Sequence, residues 1–159
     1  MATKLLLTLG NGQLNDTLWH EEDGAEAQQP NDHLLLNPDR FRQQIEQGGT
    51  AVVGLLITSD TDLEAVSDLV KRATTVALHF PTFTDGRCFS HAKRLRSQYG
   101  YRNTLIATGY FLPDQVSFLK RCGIDQALFD NQERATQACR MTQPFARPYQ
   151  VSLNIESKS

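Results

Sequence analysis

The chain has too few cysteines, too widely scattered, to build a covalent or metallic framework. Cys88, Cys122 and Cys139 are three in 159 residues. They form no CxxC step and have no histidine at zinc or iron-sulfur spacing, so neither disulfides nor a metal are expected. The four histidines, His20, His33, His79 and His91, make neither an HxxxH pair nor an HExxH. Long apolar runs are missing too, none approaching the roughly 20 residues of a membrane helix. Met1 to Leu9 carries a single Lys4 and no small-residue cleavage pattern, so a soluble, cytoplasmic protein without membrane association is expected. No GxGxxG follows a strand, and there is no Walker loop and no GxSxG elbow, so no cofactor is expected.

What is present is an ordinary globular composition, 40% hydrophobic and 21% charged, in a length that suits one domain. Residues 1–36 read as a hairpin and a polar loop, 37–142 as strand-helix repeats, and 143–159 as a surface tail. Leu5 to Leu9 and Leu14 to Trp19 flank Gly10-Asn11-Gly12, a hairpin signal. Glu21 to Asp32 is a polar loop, and His33 to Leu36 a short strand. Asn37-Pro38 offers a cap and a first-turn proline for a helix ending at Gly48-Gly49.

A repeating grammar follows. Ala51 to Ile57 is an apolar strand, and Thr61-x-x-Glu64 is a capping box opening a helix with Leu63, Val66 and Val70 on one face. Val76 to Phe80 precedes a helix capped by Asp85 and stopped at Gly100. Thr104 to Thr108 precedes one that starts near Pro113 and stops at Gly123. Gln126 to Phe129 precedes a last helix from Glu133 to about Met141. Apolar strands alternating with helices pair in parallel through right-handed crossovers. The expectation is an α/β fold: a mainly parallel sheet of about four to five strands, helices on both sides, and an N-terminal antiparallel hairpin. Half of a strand-helix barrel is the alternative.

Charge is unevenly spread although the net is only -2. Residues 1–70 hold three cations against twelve carboxylates, and residues 71–106 hold seven cations against Asp85 alone. The basic stretch is either a solvated face or an anion site or acidic-partner surface. It lacks interleaved stacking aromatics, so nucleic acid is not expected.

In parallel α/β folds ligands gather beyond the carboxyl ends of the strands. The segment Phe80-Pro-Thr-Phe-Thr-Asp-Gly-Arg87 lies at such an end. Arg87, first-turn amides and Ser90 suit an oxyanion, or Asp85 caps the helix and Arg87 pairs with a carboxylate. Asp114-Gln115 is either a first-turn pair that complements the helix dipole or a wall of the site. Cys88, beside Arg87, is either an activated thiol or a packed side chain. Cys122 and His79 read as core.

Phe80-Pro-x-Phe-x-Asp-Gly-Arg-x-x-Ser90, with Leu95-Arg96, Tyr99-Gly-Tyr101, Asp114-Gln115 and Arg121-Cys-Gly-x-Asp125, resembles a family of bacterial proteins, the domain of unknown function nine-three-four. Members carry the label of oxidoreductases of sulfite reduction. The resemblance implies an accessory protein of assimilatory sulfite reduction that binds sulfite reductase or an associated electron-donor protein. The alternative is an enzyme binding a sulfur oxyanion or adenylyl sulfate at the Asp85 to Ser90 loop. Asp85 and Asp114 would move protons there, and Gly86, Arg87, Ser90, Arg96 and Gln115 would hold the ligand. Two positions depart from the family pattern: Ile106 stands where an arginine is usual and Tyr110 where an aspartate is usual.

Overall fold

The computed structural model describes residues 4–17, 19–21, 33–48, 52–82 and 85–142. Strands β1 (Lys4–Thr8) and β2 (Gln13–Thr17) form the expected hairpin, with Thr8 opposite Gln13 and Gly12 at a φ of 73° closing the turn. The chain then adds β3 (Trp19–Glu21), β4 (His33–Leu36), α1 (Pro38–Gln47), β5 (Val52–Thr58), α2 (Ser67–Arg72) and β6 (Thr75–Phe80). It continues through α3 (Arg87–Ser97), β7 (Thr104–Gly109), α4 (Val116–Arg121), β8 (Gln126–Phe129) and α5 (Gln132–Thr142).

Local chemistry explains the element ends. The Asn37 side chain accepts the Arg40 N–H at 2.9 Å, Pro38 opens α1, and Gly48 closes it in the left-handed region. The Thr61-x-x-Glu64 box does not open a helix. Thr61 Oγ1 instead accepts the Thr58 N–H at 3.0 Å and Asp62 accepts that of Glu64, so turns run to Val66 and the helix starts only at Ser67. Both hydroxyl and carboxylate are spent on the strand exit, a local competition that pattern alone does not resolve.

The sheet order is β2-β1-β8-β7-β6-β5-β4-β3. Strands β3 to β8 are parallel and lie in chain order, and β1 pairs antiparallel with both β2 and β8. This corrects two expectations. Among the described residues there are seven strands of four to seven residues plus the three-residue edge strand β3, not four to five. The helices also share one face, because crossovers of one hand between strands in consecutive order cannot alternate sides. The sheet curls as half a barrel, the alternative architecture.

The two faces have different cores. Toward the helices, Leu7, Leu55, Ile57, Val76, Leu78, Phe80, Leu105 and Phe129 meet Phe41, Leu69, Ala92, Leu95, Val116, Leu119 and Ala135 in one continuous cluster. The concave face holds a smaller one, Leu35, Ala77, Ile106 and Leu128, against which Leu6, Trp19 and Leu56 pack. Gly54 permits the curl there: a Cβ would stand 2.9 Å from Leu35 Cδ2 and 3.2 Å from the Thr75 carbonyl. Among the described residues no helix is long and apolar enough to cross a membrane. The expectations for Glu22 to Asp32 and for the tail from Gln143 lie outside the described residues.

Candidate functional site

Side chains alternate along a strand, so the inward Val76, Leu78 and Phe80 turn His79 to the concave face. In the β6-β7 register His79 stands beside Thr108, at the carboxyl ends of both strands. Glu21, the last residue of β3, reaches both. Its Oε2 lies 2.7 Å from His79 Nδ1 and accepts a hydrogen bond from Thr108 Oγ1. In a flat sheet β3 and β6 would be three strand spacings apart, about 14 Å, more than these side chains span. The curl therefore makes the site.

The carboxylate and the imidazole set each other's ionisation, and the Thr108 hydroxyl acts on the carboxylate. Burial works against the Glu21 charge, but hydrogen bonds from His79 and Thr108, and the charges of His79 and Lys4, outweigh it and hold the carboxyl below its ordinary 4.5. His79 moves the other way. The hydrogen bond to Glu21 is the largest influence, burial opposes it, and the Glu21 charge adds to it, so the imidazole stays protonated above its ordinary 6.5.

These residues line a cleft of about 360 Å³ together with Lys4, Gly109, Tyr110, Leu128, Asp130 and Arg134. Arg134, in the first turn of α5, donates to the Phe111 carbonyl, and the Asn131 side chain accepts its backbone N–H at 3.0 Å. Gly109, at a φ of 90°, is required where it stands. A Cβ would lie 2.4 Å from the Phe80 carbonyl oxygen and 3.1 Å from His79 Cε1. With Nδ1 engaged by Glu21, Nε2 is the ring nitrogen left to donate to, or exchange a proton with, a molecule in the cleft. The cations Lys4 and Arg134 border the same space.

The residues nominated from sequence lie outside this cleft. Asp85 accepts the Arg87 backbone N–H at 3.0 Å and grips its guanidinium at 2.8 Å through Nη2, while Nη1 lies 2.8 Å from Asp60. Chiefly through those Arg87 hydrogen bonds, the Asp85 carboxyl sits well below the usual carboxylate range. Gly86 and Ser90 are exposed just beyond, and Asp114 is exposed in a single 3-10 turn before α4. Gln115 Oε1 accepts the Leu112 N–H at 2.7 Å. Arg96 donates to the carbonyls of Gly123, Tyr101 and Asn103 and to Asp125, at 2.7 to 3.0 Å. None of the seven lines the His79 cleft.

Cys88 is wholly buried, its thiol pushed up to about 12 by that burial, and it donates to the His79 carbonyl at 3.2 Å. It is a packed side chain and not an activated thiol. Among the described residues no group of three or more His, Cys, Asp or Glu could hold a metal ion.

Sequence reasoning missed Glu21, which stood in a polar stretch, and placed His79 in the core. The usable signal was parity. A histidine between Leu78 and Phe80 in a strand with one helix-covered face must point to the other.

The chain belongs to the family described as bacterial protein of unknown function (DUF934), whose sequence profile matches residues 54–158. His79, Thr108, Gly109, Tyr110, Asp130 and Arg134 fall inside that stretch, whereas Lys4 and Glu21 precede it. No curated protein and no solved structure is significantly similar to the chain.

Proposed function

We propose that the protein is an accessory component of sulfite reduction that takes a sulfur oxyanion into the His79 cleft, with sulfite reductase or its electron-donor protein as the partner it serves. The observation that carries this reading is the engaged Nδ1 of His79. Glu21 holds the ring protonated at that nitrogen and fixes its orientation, which leaves Nε2 to serve an anion beside Lys4 and Arg134. An oxyanion that gains and loses protons suits an imidazole whose free nitrogen can donate a hydrogen bond or pass a proton. The sulfur setting comes from the family resemblance.

Two further observations support the cleft over the Asp85 to Ser90 loop. The Arg87 guanidinium already carries a carboxylate on each side, so an anion there would have to displace one. Of the two positions that depart from the family pattern, Tyr110 lines the cleft, and Ile106 is buried on the same face of β7, two residues before Thr108.

Calorimetric titration with sulfite and sulfate near neutral pH is the test. Binding weakened at least tenfold by His79→Gln and unchanged by Arg87→Ala is expected. Binding indifferent to His79→Gln and lost with Arg87→Ala would move the ligand to the loop and end this reading. Co-purification with sulfite reductase at low and moderate salt tests the partner separately.

A further inference from the structure

The far end of the sheet carries a second feature that the His79 cleft does not use. From Lys93 to Arg121 the chain has six cations, Lys93, Arg94, Arg96, Arg102, Lys120 and Arg121, against Asp114 alone. Two of them are committed: Arg96 to carbonyls and Asp125, and Arg94 to Gln98 and Tyr99. The others are exposed on α3, on α4 and ahead of β7.

Phe118 sits among them, 40% exposed. Its ring rests on Phe89 with centroids 4.6 Å apart, and the Lys93 ammonium and the Arg121 guanidinium stand 5.8 Å and 5.9 Å from its centroid. Two residues along the same helix, Lys120 joins Arg102, Arg96 and Asp125 in lining an open cleft of about 490 Å³ at the amino ends of the parallel strands.

A ring held rigid by a buried neighbour and flanked by two cations has the composition of an interface anchor: an apolar contact surrounded by charge that steers approach. We propose that this α3-α4 face is a docking surface for an acidic segment of a protein partner. The segment places an apolar side chain on Phe118, and its carboxylates meet Lys93, Arg121 and the Arg102-Lys120 cleft. The cleft has room for side chains, not for a folded element. A nucleic acid would meet the same cations, but the face offers one exposed ring rather than a row for stacking successive bases. The proposal is independent of what the His79 cleft binds.

The experiment uses the full chain, isotope-labelled for NMR, and three fluorescent probes: an acidic peptide with one central leucine, the same peptide with glycine in its place, and a single-stranded oligonucleotide. The leucine peptide is expected to shift amides of α3, α4 and Arg102 and to leave those around His79 unmoved. Its anisotropy-derived Kd is expected to rise at least tenfold in a Lys93→Glu/Arg121→Glu variant and also in Phe118→Ser. An unchanged amide spectrum away from the substitutions shows that the variants fold. Equal affinity for the glycine peptide, tighter binding of the oligonucleotide, or unaltered binding by the folded variants would overturn the proposal. So would concentration-dependent shifts of this face without peptide, which would assign it to a second copy of the chain.

Discussion

Replacing Glu21 by glutamine isolates the interaction that defines the cleft. The Glu21→Gln side chain keeps an acceptor for His79 Nδ1–H and loses the charge. The pair is about a quarter exposed at each side chain, 29% for His79 and 26% for Glu21, so water screens it only in part. A hydrogen bond to a charged group contributes about 1.5–3 kcal/mol, of which a neutral acceptor keeps roughly half. The substitution therefore costs about 0.75–1.5 kcal/mol near pH 6, a fall in Tm of roughly 1.5–6 °C for a domain of this size. The pH dependence follows from the two shifts. Because the folded pKa of His79 is raised above 6.5, its contribution is full below 6.5 and is lost as pH rises through the folded value. Because that of Glu21 is lowered, its contribution is present above 4.5 and is lost as pH falls through the folded value. The pair thus stabilises most between 4.5 and 6.5, and the cost of Glu21→Gln, full near pH 6, shrinks at an alkaline pH above the folded His79 value. NMR titration of His79 and chemical denaturation at both pH values provide the assay. A His79 pKa that does not fall in the variant, or an equal destabilisation at the two pH values, would refute the reasoning.

Arg96→Ala strips donors from the carbonyls of Gly123, Tyr101 and Asn103 and is expected to cost about 3 kcal/mol or more in urea unfolding. Arg96→Lys recovers little of it, because an ammonium cannot reproduce the planar fork. Gly109→Ala places a Cβ 2.4 Å from the Phe80 carbonyl oxygen in a left-handed backbone. A loss of about 2 kcal/mol or more is expected, and a urea midpoint matching wild type would contradict that geometry. Alkylation at about pH 8 is expected to modify Cys139 first, with Cys88 and Cys122 protected until the chain unfolds. Mass spectrometry of the partly labelled protein reads the order.

Much of the fold was legible along the chain. The hairpin around Gly12, the cap at Asn37, the strands from Val52, Thr75, Thr104 and Gln126, and the stops at Gly48, Gly100 and Gly123 depend on neighbours within a few residues, which the sequence displays directly. The helix after Thr61 was misjudged because Thr58 competes for the same hydroxyl. The short strand at Trp19 went unseen because its parallel partner β4 lies beyond the segment 22–32.

By itself the sequence determined which segments are strand or helix, and that the strands pair mainly in parallel, since periodicity and capping are local properties. Strand order, the single helix-covered face and the curl belong to the tertiary structure, because they depend on how consecutive crossovers pack against one another. That curl decided the site. It joins Glu21 to His79 and Thr108 across 58 and 87 positions of chain, while the attractive run from Asp85 to Ser90 turned its arginine onto Asp85 and Asp60.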